Sequence, residues 1–359
     1  MQVQGWMMLE PGQPLVEGTY EVELGTGDVL VEVAGCGICH TDLGFLHDGV
    51  PVRHALPLVL GHEIAGRVVE AGDGANDWIG APVVVPAVLP CGDCEACRAN
   101  QGSICPRQIF PGNDLHGGFA SHVKVPSRGL CRVPDLSDLN VNPAGLSLKT
   151  LSVIADAVST PYQALLRSGL GPGDLALFIG VGGVGGFGVQ IAHALGAKVI
   201  ALDISKERLA QIKDHGASLT LNVRELDFKE LRNEVRSFAK LNGIPTFRHR
   251  IFECSGTPAG QGTAFGLLGH GGYLGIVGFT PKKVELKLSN LMAFHATAQG
   301  NWGCLPEHYP AVLQLVLAGK ISLAPFVENR PMSAINAALD EVHAGGTTRR
   351  LILTPDFGA

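Results

Sequence analysis

Between Asp174 and Lys198 the chain runs for 23 residues without a charge, LALFIGVGGVGGFGVQIAHALGA. The run is long enough to cross a bilayer. Seven glycines, Gln190 and His193 interrupt it, however, and it opens as a strand. Its pattern is buried strand, tight turn and buried helix. The turn reads Gly180-Val-Gly182-Gly183-Val184-Gly185, a G-x-G-x-x-G. Gly180 allows the sharp turn and Gly182 admits a pyrophosphate close to the backbone. Gly183 and Val184 share that turn, and Gly185 lets the helix pack on the sheet with its N-terminus toward the phosphates. The hexapeptide alone also fits a packing turn, so its context decides. Asp203 ends the next strand, 18 residues beyond Gly185. Its carboxylate is placed for ribose hydroxyls and against a 2′-phosphate, which predicts NAD rather than NADP. Arg208 stands near enough along the chain to touch the same ribose.

This motif sits inside an alternation. From 175 onward the order is LALFIG, a helix, KVIALDI, a helix that Ser205 caps, SLTLN, a charged helix, HRIFECSG, a helix near 258–269 and GYLGIVGF. Strand alternating with helix predicts a doubly wound parallel sheet. The first 135 residues differ. TYEVELGTGDVLVEV, IAGRVVEAG, APVVVP and FASHVKVPSRGLCRVP are short, Val-rich and separated by Gly, Pro and Asp. They predict mostly antiparallel β structure with long functional loops. Helical patterns follow at 143–168, 307–318 and 332–343, and RRLILTP closes the chain as a strand able to return to the first domain. The expected organisation is a catalytic domain from 1–160 and 300–359, with a dinucleotide-binding domain of 161–299 inserted between. The fold class is α/β.

Composition supports two cores: 46% of the 359 residues are hydrophobic, and disorder is excluded. A net charge of −6, with no basic stripe, argues against nucleic acid. The N-terminal residues MQVQGWMMLEPGQPL lack the pattern of a signal peptide, so a cytoplasmic protein free of membrane is expected.

Two clusters carry metal-ligand chemistry. Cys91, Cys94, Cys97 and Cys105 lie in CGDCEACRANQGSIC, with two, two and seven residues between thiols. Four thiolates so close satisfy a closed tetrahedral zinc site, a structural lobe at about 88–110 with no open position. An iron–sulfur cluster and disulfides are the competing readings. Cys39 in GCGICHTD and His62 in LGHE are the second cluster. A catalytic zinc needs a third protein ligand and an open fourth position. By spacing that third ligand is Glu63, Asp42, Asp156 or a later cysteine.

GCGICHTD, GHEIAGRV, the four-cysteine lobe, STPYQAL and GVGGVG occur in one order along essentially the whole chain. Together they resemble the zinc-dependent medium-chain alcohol dehydrogenases. The resemblance implies a GroES-like catalytic domain beside a Rossmann domain, NAD, and two zinc ions per chain. It implies Cys39, His62 and Asp156 as catalytic zinc ligands, with Glu63 beside the metal or as an alternate ligand. Asp156 stands where many relatives carry cysteine; the swap preserves the ligand charge. Thr41 becomes the hydroxyl that relays the alcohol proton and His40 faces the cofactor pyrophosphate, while Val277 and Arg350 join the cofactor contacts. Where many relatives have a histidine three residues after the relay hydroxyl, this chain has Gly44, so the proton leaves through the cofactor ribose or another group, His47 being one candidate. A homo-oligomer, dimer or tetramer, is also implied.

WMMLEPGQPL, IFPGNDLHGGFASH, IFECSGTPAGQ and LSNLMAFHATAQGNWGCLPEHYP look like the 6-hydroxycyclohex-1-ene-1-carbonyl-CoA dehydrogenases of anaerobic benzoate degradation. That resemblance implies NAD-dependent oxidation of a ring secondary alcohol to the 6-oxo enoyl-CoA. Lys282, Lys283, Arg248 and Arg250 are cations available for the CoA phosphates, and 290–305 is a segment suited to substrate or subunit contact. The alternatives are a dehydrogenase of another secondary alcohol or polyol, and a metal-depleted or quinone-reductase-like relative.

Overall fold

A computed structural model describes Met1–Gly358. The chain forms two compact units. One comprises Met1–Ser159, Gly303–Gly319 and the chain from Leu323 on; the other comprises Thr160–Trp302 and Lys320–Ser322. The short return at Lys320–Ser322 departs from the sequence expectation, which left everything after 300 in the catalytic domain. Its cause is a side chain in the second unit. Gln190 Oε1 accepts from Ser322 N–H at 2.7 Å while Gln190 Nε2 donates to the Ser322 carbonyl at 3.3 Å.

The second unit is built on a six-stranded parallel sheet. Its strand order is Leu219–Asn222, Lys198–Asp203, Leu175–Ile179, His249–Glu253, Tyr273–Ile276 and Thr297–Gly300. The order reverses between Leu175–Ile179 and His249–Glu253, where open α/β sheets bind ligands at the carboxyl ends of their strands. Leu175–Ile179 is buried along its whole length. A strand covered by helices on both faces has no solvent side, which is why LALFI is continuously apolar. The helix Gly183–Ala194 follows across the turn Gly180–Gly182, with Gly182 as its N-cap.

The first unit holds a seven-stranded sheet with Asp28–Gly37 near its centre. That strand pairs antiparallel with Glu63–Ala71 and with His122–Pro126, through register shifts at Leu30/Val31 and Val33/Gly35. The last strand, Arg350–Thr354, pairs antiparallel with the end of Asp28–Gly37, Ile352 opposite Gly37, and parallel with Val327–Pro331. Three strand ends therefore meet: Gly37 finishes one, Glu63 begins the next and Arg350 begins the third. Cys39 follows as N-cap of the helix His40–Leu46, and Asp42 Oδ2 accepts the Cys39 N–H at 2.9 Å. The carboxylate at the third helical position thus satisfies the cap amide, fixing the approach of Cys39. Among the described residues, no helix is long and apolar enough to cross a membrane.

The glycine turn tests how closely helix and sheet approach. A Cβ on Gly185 would lie 1.9 Å from the Gly180 carbonyl oxygen. Gly185→Ala should therefore force the helix off the strand and lower stability by about 1–3 kcal/mol, read as a fall in the unfolding midpoint.

Candidate active site

Cys39, His62, Glu63 and Asp156 each offer a ligand atom, and these atoms lie within 4.8 Å of one another. Asp156 Oδ2 is 3.6 Å from Cys39 Sγ and 3.6 Å from His62 Nε2. Ligand atoms 2.0–2.3 Å from a tetrahedral zinc are separated by about 3.3–3.8 Å, so the spacing fits one ion. His62 Nε2 is buried and has no hydrogen-bond partner among the described residues. Burying an imidazole nitrogen unpaired is costly, and a metal at that point removes the cost. The donor set of thiolate, imidazole and carboxylate is proper for zinc and carries two negative charges.

The three carboxylates open as third ligand, Asp42, Glu63 and Asp156, are engaged differently. Asp42 is fully buried and lies on the far side of His62, its Oδ1 3.3 Å from Nδ1. Burial disfavours the charged ring, but Asp42 and then Asp156 raise His62 well above its ordinary value. Nδ1, like Nε2, makes no hydrogen bond among the described residues, so Asp42 acts on the ring chiefly through its charge. Glu63 is committed elsewhere. Its Oε1 accepts from Arg350 Nη2 at 2.6 Å and from Ala157 N–H at 2.9 Å, and its Oε2 accepts from Arg350 Nε at 2.7 Å. Burial pushes Glu63 up to about 7, with the Arg350 guanidinium pulling the other way. A Cβ on Gly37 would lie 2.1 Å from Glu63 Oε2, so the second glycine of GCG makes room for this carboxylate. Asp156 is the carboxylate whose Oδ2 stands 3.6 Å from both Cys39 Sγ and His62 Nε2.

Other expected residues fall as follows. Thr41 is half-buried with its Oγ1 3.7 Å from Cys39 Sγ, and His40 is exposed on the same first turn. Arg350, expected among the cofactor contacts, is buried and donates through Nε and Nη2 to Glu63. His47 does not continue a path from Thr41. It caps the far end of the helix, about 10 Å along its axis, with its ring 4.7 Å from that of His343.

The four cysteines of the lobe draw together, with sulfurs 3.4 Å apart for Cys94–Cys97, 3.7 Å for Cys94–Cys105 and 3.9 Å for Cys91–Cys97. Tetrahedral thiolates at about 2.3 Å from zinc stand about 3.8 Å apart. A polynuclear iron–sulfur cluster holds its thiolates on separate irons, farther from each other. The Cys97 amide donates to Cys94 Sγ at 3.5 Å and lowers that thiol to about 7, toward the thiolate a metal needs.

In the second unit the turn has Gly180 at φ +85°, Gly182 as N-cap, and Gly183, Val184 and Gly185 in the first helical turn. Asp203 accepts Val181 N–H on Oδ2 and Ser205 N–H on Oδ1, both at 2.8 Å. It thereby ties the glycine turn to the next strand, a task its position in the sequence does not announce. Arg208 Nη1 stands 4.0 Å from Asp203 Oδ1. Val277 N–H donates to the Glu253 carbonyl at 2.9 Å, holding the end of its strand. Two of the cations named for the CoA phosphates are engaged locally. Arg248 donates to Asp174 and Pro172, Arg250 donates to the Phe247 carbonyl, and both sit at the amino end of His249–Glu253, away from the glycine turn. Lys282 and Lys283 are exposed.

Sequence reasoning missed Phe110, whose ring lies 4.9 Å from that of His62, and Tyr309, whose buried hydroxyl donates to the Ala155 carbonyl. Neither has a local signal; each meets the site only through the fold.

Comparison with known proteins agrees with this geometry. Residues 25–135 match the alcohol dehydrogenase GroES-like domain family, and 183–318 match the zinc-binding dehydrogenase family. An alcohol dehydrogenase of Geobacillus stearothermophilus is 29% identical over 337 residues, 92% of each chain. An L-threonine 3-dehydrogenase of Pyrococcus abyssi is 31% identical over 312 residues, 85% of this chain and 84% of its own. A cobalt- and zinc-bound thermostable alcohol dehydrogenase structure from Pyrobaculum aerophilum superposes with a TM-score of 0.83 at 25% identity, over 99% of this chain and all (100%) of that one.

The Glu63–Arg350 pair has a direct test. Arg350→Met leaves a buried carboxylate without its counter-charge and should cost about 3–5 kcal/mol in denaturant unfolding. Adding Glu63→Gln should recover a large part of that loss.

Proposed function

The chain belongs to the zinc-binding medium-chain alcohol dehydrogenase family, and from that premise we propose that it oxidises a secondary ring alcohol to the ketone with NAD as hydride acceptor. The observation that carries the reading is the cluster of buried Cys39 and His62 with half-buried Asp156, with its unpaired His62 Nε2 and its 3.6 Å edges. These three side chains would hold the catalytic zinc, leaving a fourth position open. Zinc bound there supplies Lewis acidity toward the substrate oxygen. Thr41, its Oγ1 3.7 Å from Cys39 Sγ, would accept the alcohol proton, and Gly44 offers no side chain to take it further. If NAD binds, His40 would serve its pyrophosphate, and the turn Gly180–Gly185, Val277, Asp203 and Arg208 would hold it, with the Asp203 carboxylate opposing a 2′-phosphate. The four-thiolate lobe holds the second zinc and does no chemistry.

For the substrate, the proposal is 6-hydroxycyclohex-1-ene-1-carbonyl-CoA, oxidised to the 6-oxo enoyl-CoA. Its support is the likeness of WMMLEPGQPL, IFPGNDLHGGFASH, IFECSGTPAGQ and the 288–310 stretch to that enzyme group. A second reading, a dehydrogenase of a simpler secondary alcohol or polyol, is favoured by the engagement of Arg248 and Arg250 within the second unit. The metal-depleted alternative is opposed by the complete ligand set. We further propose a cytoplasmic homo-oligomer. Thr297–Gly300 is the edge strand of its sheet, and nearby Leu288 and Met292 are 66% and 78% exposed, a surface suited to a second copy. A single-chain mass in sedimentation would overturn this.

Two measurements test the function. The purified protein should contain two zinc ions per chain, and Asp156→Ala should retain one; retention of both would remove Asp156 from the ligand set. With NAD, kcat/KM for the cyclic hydroxyenoyl-CoA should exceed that for cyclohexanol by orders of magnitude. Comparable values would replace the CoA reading with the simpler one.

A further inference from the structure

Asp156 reaches the ligand cluster from the end of a tight run, Leu148–Ala155, and has a φ of −140° and a ψ of −59°. The backbone on either side of it is gripped. Ala157 N–H donates to Glu63 Oε1 at 2.9 Å. On the other side the Ala155 carbonyl accepts from the Tyr309 hydroxyl, from Ser159 Oγ at 3.2 Å and from Ala87 N–H at 3.4 Å. The last two are long for their donor types, which leaves the tyrosine as the principal anchor. The same hydroxyl accepts Ala87 N–H at 3.3 Å. Ala87 follows the strand Pro82–Val85, and Tyr309 opens the helix Tyr309–Leu317. One phenol oxygen therefore joins a strand end, the Asp156 segment and a helix start. Tyr309 is fully buried (0% exposed), so no water competes for these bonds.

We propose that Tyr309 is a positioning residue for the catalytic metal: by fixing the Ala155 carbonyl it sets the reach of Asp156 toward Cys39 and His62. The proposal rests on Asp156 being the third ligand, as put forward above. Its physical basis is tolerance. A metal–oxygen bond holds to within about 0.2 Å, whereas a buried carbonyl deprived of its best donor turns to find another. Without the phenol oxygen, Ala155 has only Ala87 N–H and Ser159 to turn toward, and Asp156 moves with it. The Glu63 grip on Ala157 then holds one side of the ligand while the other is released.

The experiment measures zinc retention against a competing chelator, with cobalt(II) substitution reporting the ligand field of the mixed-ligand site. Tyr309→Phe keeps the ring and removes the oxygen. It should weaken one of the two zinc ions about ten- to hundredfold, in the range of second-shell losses, shift the cobalt spectrum of that site and spare the four-thiolate zinc. Val316→Ala, buried on the same helix, provides the comparison for general destabilisation; its zinc affinities should match the unaltered protein. In an Asp156→Ala background, Tyr309→Phe should have no further effect. The proposal is overturned by unchanged affinity and cobalt spectrum in Tyr309→Phe, by an equal loss in Val316→Ala, or by a further loss on top of Asp156→Ala. Should Asp156→Ala itself keep both zinc ions, the ligand assignment fails first and takes the proposal with it. Loss in Asp156→Ala beside no change in Tyr309→Phe would instead sink the positioning role alone.

Discussion

The buried bidentate pair of Glu63 with Arg350 holds the first unit to its chemistry. Its members are 287 residues apart in sequence and both are buried. A carboxylate in that position would be costly alone, and a guanidinium equally so. Paired, they let the last strand close the sheet beside Gly37, where Ile38 N–H donates to the Leu351 carbonyl at 2.9 Å. They also give Glu63 a free lone pair with which to hold Ala157, next to Asp156. One ion pair thus links sheet closure to the placement of a metal ligand. The Gly37 position follows from it, because the carboxylate occupies the space a side chain would fill.

The two metal clusters differ in how they are assembled, and that difference governs what the sequence discloses. The lobe draws its four cysteines from a single short segment, so spacing alone brings the sulfurs within reach of one ion. The catalytic cluster takes Cys39 from a helix cap, His62 from the residue before a strand and Asp156 from the end of a tight run. Spacing named Cys39 and His62 but left Glu63, Asp42, Asp156 and later cysteines as equals. Hydrogen bonding distinguishes the carboxylates: Asp42 is turned to the back of His62, and Glu63 is saturated by Arg350 and Ala157. No pattern in the chain encodes that partition.

The alternation of strand and helix after 175, and the apolar run that opens it, made the parallel sheet legible. A strand buried on both faces must be apolar throughout, and a glycine must stand wherever helix backbone meets strand backbone. Those are local demands with local signatures. Positions that act through the fold have the opposite character. Arg350 is a chemically apt cofactor cation until the fold sets it against Glu63. Arg248 and Arg250 are apt phosphate partners until strand direction puts them at the amino end of the sheet. His47 is close to Thr41 in sequence, yet a helix carries it away. In each case residue type was informative about chemistry and silent about which end of an element it would occupy.

As the proposed zinc ligand, Asp156 makes demands on its surroundings that a cysteine would not. A carboxylate oxygen lies one bond farther from the backbone than a cysteine sulfur and turns about one more torsion, while its bond to zinc is shorter. The ligand is therefore more adjustable and more dependent on where its backbone stands. The chain answers with fixed backbone on both sides, through Glu63 at Ala157 and through Tyr309, Ser159 and Ala87 at Ala155. Charge is conserved by the exchange of thiolate for carboxylate. What changes is the burden on the surroundings, which must supply the rigidity that the ligand gives up.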